Sequence, residues 1–78
     1  MLPSIASIVA ETFEMPLDAV SDETGPDTLM KWDSLGAVRL LLALQDAFQL
    51  EFTQPEILAM RNVALIRRVL VKRGIEAH

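Results

Sequence analysis

The first stretch of the chain places its apolar residues with the period of an α-helix. One face carries side chains at i, i+3, i+4, i+7 and i+8: Ile5, Ile8, Val9, Thr12 and Phe13. Ser4 stands where an N-cap is needed. Met15 precedes Pro16, and the residue before a proline is held out of the α region. A first helix is therefore predicted between Ser4 and Met15.

Residues 16–31 have no helical period. They contain the dipeptide Gly25-Pro26 and many Asp, Ser and Thr residues. The apolar residues in this segment are spaced as anchors: Leu17, Val20, Leu29 and Met30. We expect a long ordered loop, which is often functional in so small a domain, although joining two helices is a sufficient structural reason for it. Trp32 at its end is interpreted as an anchor that packs the loop onto the bundle.

A second helix is predicted to begin near Asp33 and Ser34, both capable N-cap residues, and to end near Gln49. At 100° per residue, one side of this helix is an ordinary core face. The residues on that face are Ala37, Leu40, Leu41, Leu44, Ala47 and Phe48.

The other side of the second helix mixes polar and apolar residues. The polar ones are Arg39, Gln45, Asp46 and Gln49. Leu35, Val38 and Leu42 stand among them, at i, i+3 and i+7. Since the core face is already filled, these three form either a contact surface for a partner or a surface that the long loop covers, and the periodicity favours neither.

Two more helices complete the pattern. Thr53 and Glu56 have the spacing of a capping box and open a short helix. Asn62 is positioned to cap a last helix, which Gly74 ends. The apolar residues are Ile57, Leu58 and Met60 in the short helix, and Val63, Ile66, Val69 and Leu70 in the last. Without β alternation, the predicted fold is all-α: a small bundle of three main helices plus one short helix, with a long first loop.

Composition limits the functions that the chain can perform. Its 78 residues, 51% of them hydrophobic, predict one domain over residues 1–78. There is no cysteine, and the one histidine is His78, so a thiol nucleophile and a cysteine-ligated metal site are excluded. Residues 1–4 lack a basic signal region, and no apolar run approaches the length of a membrane span. We expect a cytoplasmic protein that does not bind membranes.

Charge is distributed unevenly along the chain. The net charge of −4 argues against nucleic acid as a partner. Residues 16–56 hold eight acidic and two basic side chains, a net −6, whereas residues 57–78 hold five basic and one acidic, a net +4. We interpret the C-terminal bases as complementing the dipole of the last helix, which leaves the acidic middle to face basic partners.

The segment at residues 32–35, Trp-Asp-Ser-Leu, opens the second helix directly after the acidic loop. Alone, Asp-Ser-Leu at a helix start indicates little more than capping. With the apolar stripe behind it, the Phe-Gln-Leu-Glu-Phe run at residues 48–52 and the segment 53–63, it resembles the acyl carrier protein family, also called peptidyl carrier or phosphopantetheine-binding domains. The resemblance covers essentially the whole chain and implies a freestanding carrier that is not itself an enzyme.

The resemblance implies that Ser34 is the attachment site of 4′-phosphopantetheine, flanked by Asp33, Leu35 and Gly36. A separate phosphopantetheinyl transferase would join the group from coenzyme A to the Ser34 hydroxyl. The phosphodiester would lie near the unpaired N–H groups of the helix start, and Gly36 is expected to leave backbone open beside it. The missing cysteine agrees with this interpretation, because the prosthetic group would supply the thiol for a thioester cargo.

The resemblance also implies partners. These are the transferase, an acyl- or aminoacyl-loading enzyme, and a downstream synthase or transferase of polyketide, nonribosomal-peptide, fatty-acid or other specialised biosynthesis. We expect them to dock on a monomer at Leu35, Val38, Arg39, Leu42, Asp46 and Glu56. Arg39 and Gln45 depart from the acidic second helix familiar in fatty-acid-synthase carriers, so docking is expected to depend more on apolar contacts than on exposed ion pairs.

Two rival functions remain open on the sequence. In the first, the protein is a helical adaptor that docks a partner on Leu35, Val38 and Leu42, and Ser34 is only a cap. Modification by a phosphopantetheinyl transferase would discriminate the two. In the second, Ser34 is the nucleophile of a hydrolase or transferase, which the sequence disfavours because no internal histidine is present to act as its base.

Overall fold

The computed structural model describes residues 4–76 and contains four α-helices within them. Their bounds are Ile5–Phe13 for α1, Ser34–Phe48 for α2, Gln54–Ala59 for α3 and Val63–Lys72 for α4. The all-α fold with one short helix and a long first loop is confirmed. None of these helices, within residues 4–76, is long and apolar enough to cross a membrane. His78 and the predicted signal-free start at residues 1–3 lie outside the described range.

Every α-helix begins at a side chain that the sequence offered as a cap. In each case the N-cap side chain accepts a hydrogen bond from the amide three residues later, at Ser4, Asp33, Thr53 and Asn62. For α2 the choice between two candidates is resolved, because Asp33 Oδ1 accepts from the Gly36 amide at 2.8 Å. Ser34 is therefore the first helical residue and not the cap.

The core lies where α1, α2 and α4 meet. The most deeply buried side chains are Ile5, Val9, Leu44, Val63, Ile66 and Leu70. The predicted core face of α2 is confirmed at Leu40, Leu44 and Phe48, but the prediction for Ala37 is wrong. Ala37 is exposed because the first turn of α2 borders an open groove that also contacts α3.

The end of the first loop is anchored on α1. The Trp32 and Phe13 rings stack with centroids 5.5 Å apart and planes inclined by 24°, and both side chains are buried. Lys31 Nζ donates a hydrogen bond to the Phe13 carbonyl at 3.1 Å, which satisfies a carbonyl in the last turn of α1. The prediction that Trp32 anchors the loop is confirmed.

The loop itself differs from the sequence prediction in two respects. It contains a short 3₁₀ helix, Leu17–Ala19, that the sequence did not indicate. Val20 and Leu29 pack against the core as expected, whereas Leu17 and Met30 are exposed and do not act as core anchors. Fewer apolar anchors suffice because polar contacts with α4 hold the loop as well.

Those polar contacts complete the start of α4. The Val63 amide donates to the Thr24 carbonyl and the Ala64 amide to the Asp22 carbonyl, both at 3.1 Å. With the Asn62 cap, these bonds satisfy the first three amides of the helix. Asp22 also pairs with Arg67 at 2.9 Å. The interpretation of the C-terminal bases as dipole partners is therefore corrected for Arg67, which binds the loop instead.

Gly36 permits a close approach between α2 and the residues before it. A Cβ atom at this position would lie 2.2 Å from the Lys31 carbonyl oxygen and 2.8 Å from a ring carbon of Phe13. The expectation that Gly36 leaves open backbone beside Ser34 is wrong, because the loop end and α1 fill that space. Glycine is required here for packing.

The C-terminus of α4 is tied to the start of α3. Arg73 Nε donates to Glu56 Oε2 at 2.7 Å, a second guanidinium nitrogen binds Glu56 Oε1, and Glu56 also accepts from the Thr53 amide at 2.8 Å. Hydrogen bonds from Arg73, then from Thr53, lower the pKa of Glu56 to about 2. Arg73, like Arg67, therefore forms an ion pair within the domain.

Gly36→Ala is expected to destabilise the fold. On an exposed helix this change would stabilise by about 1 kcal/mol through helix propensity. Here the clash with the Lys31 carbonyl should outweigh that gain, with a net loss of about 1 to 3 kcal/mol. Urea unfolding followed by circular dichroism measures the difference. Val38→Ala, at an exposed position of the same helix, should stay within about 0.5 kcal/mol, and a raised urea midpoint for Gly36→Ala would contradict the packing assigned to it.

The Glu56 contact predicts a defined acid dependence of stability. The pKa of Glu56 is lowered to about 2 in the folded chain from 4.5, so its stabilisation is present above pH 4.5 and is lost as the pH falls towards 2. Glu56→Gln should therefore flatten the change of unfolding free energy between those pH values. Urea titrations at several pH values test this, and equal slopes for the parent and Glu56→Gln would refute it.

Candidate functional site

Ser34 occupies the first turn of α2 with its side chain exposed. The Asp33 carboxylate satisfies the amide of Gly36, and the Asp33 carbonyl accepts from the amide of Ala37 at 2.8 Å. The amides of Ser34 and Leu35 have no hydrogen-bond partner within residues 4–76. The Ser34 hydroxyl therefore lies beside two free N–H donors at the positive end of the helix dipole, where a negative charge is favoured.

A surface groove of about 650 Å³ opens beside Ser34. The first loop contributes Pro26 and Met30 to its lining, and α3 contributes Ile57 and Leu58. Met30 and Leu58 are strongly exposed and give this groove apolar surface. The sequence does not indicate this groove, because two apolar residues 28 positions apart give no periodic signal.

Among residues 4–76, no side chain is placed to activate the Ser34 hydroxyl. The Asp33 carboxylate is engaged by the Gly36 amide, and the described part of the chain contains no histidine. A serine hydroxyl without a neighbouring base is a weak nucleophile. Within the described residues, the Ser34 hydroxyl is thus exposed and has no neighbouring side chain that could act as its base.

The second apolar face of α2 is open to solvent. Leu35, Val38 and Leu42 are 69%, 51% and 58% exposed, so the first loop does not cover them. They form an apolar stripe that begins next to Ser34 and follows α2, with the exposed Arg39 and Asp46 beside it. We refer to Leu35, Val38 and Leu42 as the α2 stripe.

Glu56, which the sequence also suggested as a docking residue, instead makes its contacts within the domain. Its carboxylate accepts hydrogen bonds from Arg73 and from the Thr53 amide, and it is largely shielded from solvent. A carboxylate held in this way has little capacity left for a partner.

Comparison with known families agrees with the geometry of this site. The family model described as phosphopantetheine attachment site matches residues 3–70, which is most of the chain. No curated protein matches the sequence. Members of the matched family are carrier domains and not catalysts; they bear a 4′-phosphopantetheine prosthetic group and interact with the enzymes that modify and use them. The chain therefore belongs to the phosphopantetheine-attachment family of acyl and peptidyl carrier proteins.

Proposed function

We propose that this protein is a single carrier domain whose Ser34 receives 4′-phosphopantetheine from coenzyme A through a phosphopantetheinyl transferase. The observation that carries the proposal is the position of Ser34, an exposed serine in the first turn of α2, within the family match and beside an open groove. In the transfer, Ser34 Oγ forms the new bond to phosphorus and gives its proton to a base of the transferase, while the nucleotide portion of coenzyme A leaves.

The residues around Ser34 suit the chemistry of this group. The free amides of Ser34 and Leu35 and the dipole of α2 favour the negative charge of a phosphodiester. The Asp33 carboxylate caps the start of α2 by accepting a hydrogen bond from the Gly36 amide. The groove lined by Met30 and Leu58 offers apolar surface next to the attachment point. When bound, the group supplies a terminal thiol that holds an acyl or aminoacyl cargo as a thioester.

We further propose that partner enzymes dock on the α2 stripe, flanked by Arg39 and Asp46. The partners are the transferase, a loading enzyme and a downstream synthase or transferase of polyketide, nonribosomal-peptide or fatty-acid biosynthesis. A stripe of three apolar side chains is too small for a permanent interface. This suits a carrier that must leave one enzyme before it meets the next. Glu56 is left out of the proposed surface because Arg73 already binds it.

Ser34→Ala tests the attachment site. After incubation with coenzyme A and a transferase, the parent chain should gain the mass of one phosphopantetheinyl group and Ser34→Ala should gain none. Because Asp33 caps α2, the variant should stay folded, with stability within about 0.5 kcal/mol. Ser7→Ala, an exposed serine of α1, should be modified like the parent. Modification that persists on Ser34→Ala, or a folded parent chain that several transferases leave unmodified, would favour the adaptor alternative.

Leu42→Asp and Leu44→Asp separate docking surface from core. Leu44 is buried, so a carboxylate there should cost more than about 4 kcal/mol and unfold the domain. Leu42 is exposed, so Leu42→Asp should leave the melting curve nearly unchanged. Its modification by the transferase should nevertheless slow by about tenfold or more, because a charge then lies where an apolar partner surface must close.

Val71→Asp is the matched control for this experiment. Val71 is 59% exposed, close to the value for Leu42, but it lies on α4. The variant should fold and should be modified at the parent rate. Equal slowing of Val71→Asp and Leu42→Asp would show that added charge, and not the α2 stripe, controls docking.

A further inference from the structure

Three cations lie around the start of α2: Lys31, Arg39 and Arg61. Lys31 Nζ is bound to the Phe13 carbonyl at 3.1 Å. Arg39 lines two clefts between α1 and α2, which do not include Ser34. Arg61 alone among the three lines the same groove as Ser34.

The Arg61 side chain has no assigned role inside the domain. Its guanidinium makes no hydrogen bond or ion pair with any residue of the described range, whereas Arg67 and Arg73 are each paired with an acid. An exposed arginine with its donors unused is available to a ligand.

The backbone of Arg61, in contrast, is firmly held. Its amide donates to the Ala59 carbonyl at 3.0 Å. Its carbonyl oxygen lies 2.5 Å from the position that a Cβ atom of Gly25 would occupy, so the first loop packs directly against it. The next residue, Asn62, caps α4. The backbone contacts of the connection between α3 and α4 thus fix the position from which the Arg61 side chain extends.

The charges in the groove identify the kind of ligand. Its charged lining residues are Asp33 and Arg61, and the Asp33 carboxylate is already bound to the Gly36 amide. Arg61 is therefore the one cation among the described residues that line this groove. A guanidinium presents its N–H donors in a planar fork that matches the oxygens of a phosphate or a carboxylate.

We propose that Arg61 binds an oxyanion of the group attached to Ser34 and so draws the flexible arm into the groove beside α3. This inference rests on the proposed attachment at Ser34. The oxyanion is either the phosphodiester next to Ser34 or a carboxylate on the cargo, and the chemistry that Arg61 recognises is the same for both. Because an exposed ion pair is weak, the docked arm remains free to leave when a partner binds the α2 stripe.

Nuclear magnetic resonance of the modified protein tests the proposal. The Nε–Hε signal of Arg61 is recorded in four forms: unmodified, modified without cargo, loaded with a neutral acyl group, and loaded with the half-thioester of a dicarboxylic acid. A shift of this signal in every modified form identifies the phosphodiester as the ligand. A shift confined to the dicarboxylic form identifies the cargo carboxylate. Both results support the proposal.

The matched variants are Arg61→Gln and Arg68→Gln. Arg68 is exposed on α4 and does not line the groove. In the form that shifts the Arg61 signal, Arg61→Gln should lower the ratio of docked to free arm by a factor of about two to five, measured by 15N relaxation of the arm amides. Arg68→Gln should leave the arm unchanged, and both variants should melt as the parent does.

The failures of this proposal and of the attachment at Ser34 are distinguishable. A chain that carries the group on Ser34 by mass spectrometry, but whose Arg61 signal is the same in all four forms, overturns the role of Arg61 alone. Equal mobilisation of the arm by Arg61→Gln and Arg68→Gln overturns it as well. A chain that never accepts the group on Ser34 overturns both proposals.

Discussion

The close packing of Gly36 against the Lys31 carbonyl and Phe13 determines where the candidate site lies. A Cβ atom at this position would lie 2.2 Å from the Lys31 carbonyl oxygen and 2.8 Å from a ring carbon of Phe13, so it would push α2 away from both the loop end and α1. The same contact brings the loop end close enough for Trp32 to stack on Phe13. It also leaves Asp33 to cap the helix, which places Ser34 one residue inside the helix start and exposed to solvent.

The loop and α4 depend on one another in the same way. The loop carbonyls of Asp22 and Thr24 bind the first two amides of α4, and the loop in turn packs at Gly25 against the Arg61 carbonyl. One wall of the groove beside Ser34 is therefore fixed by α4, which contributes no residue to its lining. A loop with few apolar anchors stays ordered because each of these polar groups is paired with a defined partner.

The sequence predicted features that depend on local chemistry. The four caps and the anchoring role of Trp32 follow from side-chain type and helical period, and all appear in the structure. The helical period placed the α2 stripe outside the core face but did not decide whether the loop covers it; the structure shows that it is exposed. The sequence did not predict features that require two distant segments to meet. The groove, the pairing of Arg73 with Glu56, the contact of the loop with α4 and the packing reason for Gly36 belong to this class. The prediction that Ala37 lies in the core was wrong for the same reason. The helical period does not show which part of a core face lacks another element to pack against.

The central claim is that Ser34 carries the prosthetic group, and peptide mass spectrometry of the parent chain tests it most directly. Trypsin cleaves after Lys31 and Arg39, and the peptide of residues 32–39 contains one hydroxyl side chain, that of Ser34. After exposure to coenzyme A and an active transferase, this peptide alone should gain the mass of a phosphopantetheinyl group. A group found on another peptide, or a chain that remains unmodified throughout, would contradict the account.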